Sequence, residues 1–329
     1  MPSKRESRVH ISRHSGGSGP FASLAQDVRR GLTKTPKELP SKYFYDAQGA
    51  LRFHQICELP EYYLTRTERA LLERIADDIV AACQPTTLIE FGPGNAHKTR
   101  LLLDAMARAG LLDLYMPIDL SEDLLREVAT TLVSDYPGLR IHGIIGDFEQ
   151  PVALPPAEGP RLVLFLGSTI GNLTFREATA FLGDVAGLLA PHDRFLLGTD
   201  LVKDVEVLER AYNDSAGVTA AFNRNILSVI NRHLGADFDL DRFEHLAFYH
   251  TEAARIEMHL VAREAHRVWI NGLGLAVDFA KGESVRTEIS CKYTRAMVET
   301  MLKEAGLRLL RWETDANHLF ALSLSETMP

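Results

Sequence analysis

The sequence predicts an α/β protein: a Rossmann-like, mainly parallel sheet carrying an inserted α+β unit. Three observations predict it. Five short apolar runs alternate with helical periodicity between residues 86 and 200, and the glycine turn Gly92-Pro93-Gly94 joins the first run to its helix. From about residue 254 the pattern changes to apolar–polar alternation. Strands separated by helices demand parallel pairing with both faces covered, whereas alternation marks half-buried, antiparallel strands.

Taken in order, residues 1–20 are rich in Ser, Gly, Arg and His and carry too little apolar surface to offset ordering, so a disordered tail is expected. Residues 21–62 read as short helices and turns with an aromatic cluster that includes Tyr43, Phe44, Tyr45, Phe53 and Tyr62. A core is expected from 63 to 201. It opens with a helix that places Leu71, Leu72, Ile75 and Ile79 on one face, followed by the strand Leu88 to Phe91. Later strands end at Asp119, at Gly146-Asp147-Phe148-Glu149, at Gly167 to Asn172 and at Gly198 to Asp200. Ser121 and Thr174 cap the intervening helices. Residues 202–292 form the insertion, helical at first and then stranded, with Ile256, Met258, Leu260 and Ala262 on one strand face. Residues 293–329 return to the core as a helix and a closing hairpin, which suits methyltransferase sheets better than nicotinamide-binding ones.

Charge and composition narrow the class. A net charge of −8 and a pI near 5.9 give no electrostatic case for nucleic acid or anionic membranes. Cys57, Cys83 and Cys291 lack metal or disulfide spacing and fit a reducing compartment, and no apolar run approaches the roughly 20 residues that span a bilayer. A cytoplasmic, monomeric protein acting on a small molecule, with no metal, is expected. No H-E-x-x-H, Walker lysine or nucleophile-elbow serine is present, and His245 and His250 lack ligand spacing.

The candidate chemistry sits at strand ends, where ligands of such sheets bind. Glu90-Phe91-Gly92-Pro93-Gly94 has the acidic-x-Gly-x-Gly shape of S-adenosylmethionine (SAM) sites, and lacks the third glycine of a dinucleotide fingerprint. Asp119 can accept from both ribose hydroxyls, or it can serve the helix that Ser121 caps. Asp147 can take an adenine amino group while Phe148 lies on the base. Lys98 stands near a helix start, where a cation is disfavoured unless a ligand carboxylate compensates; otherwise it is a solvated lysine. Asn172 can hold a small polar group, and Tyr212 lies in a polar neighbourhood. Glu288 and Ser290, two apart on a strand, share a face that is either a polar pocket or plain surface.

With those residues assembled, the chain resembles the histidine-specific SAM-dependent methyltransferase family from about residue 39 to 325. The resemblance rests on KYFYDAQGA, LPEYYLTRTE, EFGPGNAHKTR, GDFE, FLGSTIGNLT, GTDLVKD, AYNDSAGVTAAFNRN, DFDLDRFEH, RIEMHL and TEISCKY. It implies SAM bound by Gly92, Lys98, Asp119, Asp147 and Phe148. It also implies L-histidine and its mono- and dimethyl forms bound by Tyr62, Gly167, Asn172, Tyr212, Glu288 and Ser290, with Tyr45 near the amine. The implied reaction is trimethylation of the α-amino group to hercynine, the first step of ergothioneine biosynthesis, with no dedicated catalytic base assigned. GPGNAH departs from the family's usual Gly-Ser-Gly-Thr-Ser-Glu loop, so altered SAM affinity is expected there. Two other readings stay open: a same-fold N-methyltransferase acting on another amino acid or small amine, and a non-catalytic SAM-binding module.

Overall fold

The computed structural model describes residues 8–14, 21, 23–147, 150 and 152–328. In chain order the elements are β1 (Val9–Arg13), α1 (Leu24–Leu32), β2 (Lys37–Glu38), α2 (Ala47–Cys57), α3 (Tyr63–Cys83), β3 (Thr87–Phe91), α4 (Thr99–Arg108) and β4 (Leu114–Asp119). There follow α5 (Glu122–Asp135), β5 (Arg140–Ile145), β6 (Arg161–Phe165), α6 (Phe175–Leu188), β7 (Arg194–Asp200), α7 (Val205–Tyr212) and α8 (Val218–Leu234). The chain then forms β8 (Phe243–His250), β9 (Arg255–Ala262), β10 (His266–Ile270), β11 (Leu275–Phe279), β12 (Ser284–Cys291), α9 (Arg295–Glu304), β13 (Leu307–Thr314) and β14 (Phe320–Thr327).

The eight-stranded sheet has the order β1-β5-β4-β3-β6-β7-β14-β13. It is parallel from β1 to β7, while β14 runs antiparallel to both β7 and β13. Alternation along β3 explains the layers: Leu88 joins the core under α3, α4 and α5, and Ile89 and Phe91 join the core under α6 and α9. From β3 the chain winds outward through β4 and β5, then returns to β6 on the other side of β3. That reversal leaves a crevice beyond the carboxyl ends of β3 and β6.

A third core gathers α1, α2, α7 and α8 with a four-stranded sheet of order β2-β12-β9-β8 and the hairpin β10–β11. The two larger sheets meet where the chain leaves β12. Tyr293 N donates to Asp200 O at 2.9 Å and Val202 N to Tyr293 O at 2.9 Å, laying this segment along the end of β7.

The first 20 residues are not all tail. Val9–Arg13 pairs in parallel with β5, and the Arg8 guanidinium donates to the carbonyls of Val133, Tyr136 and Leu139 at 2.8, 3.1 and 3.2 Å. Strand β8 is also absent from the sequence-based expectation, which starts the insertion's strands near residue 254.

Candidate active site

At β3 the backbone stays in the ladder through Gly92, whose N–H donates to Ile118 O at 2.9 Å, and then turns at φ +65°, a conformation that favours glycine. Glu90 is buried. Its Oε2 accepts from Thr99 Oγ1 at 2.6 Å and from Tyr115 Oη at 2.5 Å, tying the starts of α4 and β4 to β3. Burial raises its pKa. The acidic residue of the motif therefore holds the loop in place.

Gly92, Asp119 and Asp147 stand beyond the ends of three adjacent strands. Asp119 accepts from Ser121 N at 2.9 Å, and Ser121 Oγ in turn caps α5 by accepting from Leu124 N at 3.3 Å. Burial pushes the Asp119 carboxyl up to about 6, against two backbone N–H groups that favour the ionised form. The short supply of donors leaves room for ligand hydroxyls. Asp147 faces Lys42 Nζ at 3.5 Å, which also lies 3.7 Å from Asp27. Phe148 falls outside the described residues.

Lys98 is compensated from within the protein. Its ammonium pairs with Glu68, a carboxylate with no exposed surface, and Glu68 Oε1 and Oε2 accept from Gly167 N at 2.8 and 3.0 Å. A Cβ at Gly198 would come within 2.2 Å of Glu68 Oε1, so the tip of β7 must stay bare for this side chain to fit. Gly167 turns at φ +76°, and a Cβ there would lie 3.4 Å from Lys98 Nζ. With its N–H committed to Glu68, Gly167 has its carbonyl to offer a ligand.

The short 3-10 turn Thr169–Asn172 carries the crevice across to the second sheet. Asn172 Nδ2 donates to Ile289 O at 2.9 Å, and its amide favours the ionised form of the neighbouring Glu288 carboxylate. A register shift between Arg286 and Glu288 places Glu288 opposite Met258; Thr287, at the shift, is pinned by Asn223 Oδ1 at 2.6 Å and Met258 O at 3.1 Å. Burial pushes Glu288 up to about 7, opposed by Lys292 and Asn172. Ser290 Oγ and Tyr212 Oη are 2.8 Å apart. Tyr62 meets Tyr212 edge-on with centroids 6.2 Å apart. Tyr45 is 46% exposed, but from inside the cleft: its ring packs edge-on against Phe53 and Phe222, and its hydroxyl senses Glu288 and Tyr212. Burial, reinforced by these neighbours, raises both Tyr45 and Tyr62, so both stay neutral phenols.

The structure thus gathers Tyr45, Tyr62, Asn172, Tyr212, Glu288 and Ser290 on one side of Gly167 and Lys98, with Gly92, Asp119 and Asp147 on the other. It adds residues that sequence reasoning missed. Glu68 sits on the apolar stripe of α3 between Leu64 and Leu72, and a carboxylate in such a stripe is the signal that could have found it. Lys292 continues the period-two series Glu288, Ser290, and it forms a fully buried pair with Asp200 at 2.9 Å.

A parallel sheet of this order, closed by an antiparallel hairpin and carrying a glycine turn and two carboxylates on its first three core strands, defines the class: a SAM-dependent methyltransferase. The chain belongs to the histidine-specific, SAM-dependent methyltransferase family, whose sequence model matches residues 24–327. It is similar to "Histidine N-alpha-methyltransferase" of Mycolicibacterium smegmatis, 52% identical over 92% of this chain and 94% of that protein. The protein of the same name from Mycobacterium tuberculosis is 47% identical over 97% and 99%. "Ergothioneine biosynthesis protein 1" of Neurospora crassa is 30% identical over 84% of this chain, which spans 33% of that longer protein.

Proposed function

We infer that this enzyme transfers three methyl groups, one at a time, from SAM to the α-amino nitrogen of L-histidine, giving hercynine, the first step of ergothioneine formation. One contact carries this reading: the 2.9 Å bond from Asn172 to Ile289 O, which holds the Glu288 face of β12 against the tips of the parallel sheet. The names of its bacterial and fungal relatives support the same substrate and pathway.

The residues present fit SAM. Gly92 opens the backbone, Asp119 is a buried carboxylate short of donors, and Lys98 and Asp147 add a cation and an acceptor; with Phe148 these form the proposed SAM site. Bound SAM supplies a methyl group already activated by the sulfonium charge. What the chain adds is alignment and exclusion of water, which in favourable intramolecular cases is worth about 7–11 kcal/mol. Tyr62, Gly167, Asn172, Tyr212, Glu288 and Ser290 form the proposed histidine site. The attacking amine must be neutral, and the Gly167 carbonyl together with the phenol of Tyr45 can orient it without a new negative charge that would favour the ammonium form. Glu288 accepts from an imidazole N–H. Among the described residues no cluster of His, Cys, Asp and Glu could hold a metal ion.

In this reading residues 21–62 and 202–292 act together as the substrate-binding unit, set into a SAM-binding core of 63–201 and 293–329. No helix among the described residues is long and apolar enough to cross a membrane. The acidic net charge supports a small-molecule substrate without nucleic acid. A cytoplasmic monomer completes this reading, its assembly checked by light scattering.

Mass spectrometry of histidine incubated with the protein and SAM tests the reaction. Products heavier by one, two and finally three methyl groups are expected. Methylation of tryptophan or tyrosine with histidine untouched would overturn the assignment.

A further inference from the structure

Lys292 has no part in the function described so far, yet it touches two residues of the proposed histidine site. We propose that Lys292, anchored by Asp200, is a positioning residue that fixes the proton polarity of the Tyr212–Ser290 hydroxyl pair, so that the hydroxyl receiving the bond within the pair meets a substrate ring only as a hydrogen-bond donor. This rests on the histidine reading and deepens it.

The count of protons makes the case. An ammonium has three N–H donors and no acceptor. Those of Lys292 go to Asp200 Oδ2 at 2.9 Å, Tyr212 Oη at 3.0 Å and Ser290 Oγ at 2.8 Å. Both Lys292 and Asp200 are fully buried. Burial works against the charge on Lys292, but the Asp200 carboxylate and the Tyr212 oxygen outweigh it and raise the pKa. Asp200 is itself locked, accepting from Tyr63 Oη at 2.9 Å and from Lys203 Nζ at 2.6 Å, while its N–H donates to Ser168 Oγ at 2.9 Å.

Each hydroxyl oxygen therefore already accepts from a cation that cannot turn away. One of the two hydroxyl protons is used in the 2.8 Å bond between Tyr212 and Ser290. Whichever hydroxyl donates there, one proton is left, and among the described residues no other acceptor bonds either oxygen. The hydroxyl that receives that bond has both lone pairs filled, one by Lys292 and one by its neighbour, while its own proton is free, so a substrate atom against it must be an acceptor. Two residues away on the same strand face, roughly 7 Å along the chain, Glu288 supplies the opposite polarity. One acceptor and one donor at that spacing match a five-membered ring with an N–H at one edge and a bare nitrogen at the other. A ring with only an N–H strands the hydroxyl proton. Without Lys292 the hydroxyls are free to turn and accept.

The test compares kcat/KM for histidine with that for pyrrolylalanine, a near-isosteric ring having an N–H and no bare nitrogen. The wild-type enzyme should prefer histidine by at least about 100-fold, since a polar group left unpaired in a binding site is strongly rejected. In Lys292→Met the preference should fall below about 10-fold while SAM affinity, measured by calorimetry, stays within about twofold. A loss that is only structural would lower both substrates equally and keep the ratio, and that result overturns the inference. Tyr212→Phe gives a second arm. It removes the bond within the pair and opens one lone pair of Ser290, so the preference should fall there too; a ratio kept at the wild-type value counts against the proposal even if Lys292→Met does not fold. A wild-type ratio near one also overturns it. No transfer to histidine at all would instead sink the histidine reading itself.

Discussion

Glu68 and Lys98 form an ion pair at the mouth of the sheet, the carboxylate with no exposed surface and the lysine side chain 22% exposed. Lys98 precedes α4, where the helix dipole disfavours a cation, and Glu68 offsets that from inside while also holding Gly167 N. Removing one partner of a buried pair leaves the other uncompensated. Lys98→Met should therefore lower the unfolding free energy by about 3–5 kcal/mol. Glu68→Gln combined with Lys98→Met removes both charges, keeps an acceptor for Gly167, and should recover most of the loss. Both variants lose SAM affinity, because Lys98 is gone. Urea unfolding beside SAM titration separates the two effects; equal destabilisation in the single and double variants would show that the pair does not set stability.

Asp119 predicts a pH limit on cofactor binding. Its carboxyl is pushed up to about 6, and ribose hydroxyls bind best to the ionised form. SAM affinity should therefore be constant above pH 7.5 and weaken towards tenfold per unit below about pH 6. Asp119→Asn should bind SAM at least about tenfold more weakly at pH 8, with a flat profile through this range. A wild-type profile flat to pH 5 would refute the role.

Glu288 makes the opposite trade between stability and binding. Its folded pKa, about 7, lies above the usual 4.5, so the folded state holds the extra proton between those values. Stability is then fully present below about 4.5 and is lost as pH rises through 7. Glu288→Gln should match the wild type in unfolding free energy near pH 4.5 and exceed it at pH 8, by an amount on the order of 3 kcal/mol, with a correspondingly higher thermal midpoint. Its kcat/KM for histidine should nevertheless fall at least about tenfold, since an amide accepts the imidazole N–H less well. Equal midpoints at pH 8 would mean that the carboxylate is better solvated than its surroundings indicate.

Much of this was legible in the chain. Strands β3 to β7 announce themselves because strands covered on both faces are continuous apolar runs, and the residues that end them follow directly. Strand β8 hid because its alternation breaks at the step from His245 to Leu246, between inward Phe243 and Ala247. His245 points inward, bonding Asn223 Nδ2 at 2.8 Å and Tyr212 O at 2.9 Å, while Leu246 is 44% exposed. A period-two reading expects an apolar residue at 245 and a polar one at 246. Nor could spacing reveal that Gly167 N is taken by Glu68 or that Lys292 meets Asp200. The first depends on how α3 packs against the end of β6 and the second on where β12 comes to lie beside the end of β7, which is tertiary packing and leaves no local pattern.

The N-terminal strand yields a prediction of its own. Five residues, Val9–Arg13, are too few to show an alternation against a Ser- and Gly-rich background, yet they cover the edge of the sheet. The Ile11 side chain lies over Gly143, where a Cβ would come within 2.9 Å of its Cδ1, so the missing side chain on β5 is the seat for this residue. Ile11→Ala should cost about 1–2 kcal/mol for a partly buried site. Deleting residues 1–14 should cost more, because Arg8 and the parallel ladder go too, and it should leave β5 as a bare edge prone to self-association. His14 N donates to Ile145 O at 3.0 Å, just before the turn that bears Asp147, so the deletion should also weaken SAM binding while kcat at saturating SAM is kept. Thermal unfolding, light scattering and SAM titration check these in turn. An unchanged melting curve for the truncated protein would mean that the segment contributes nothing to the sheet.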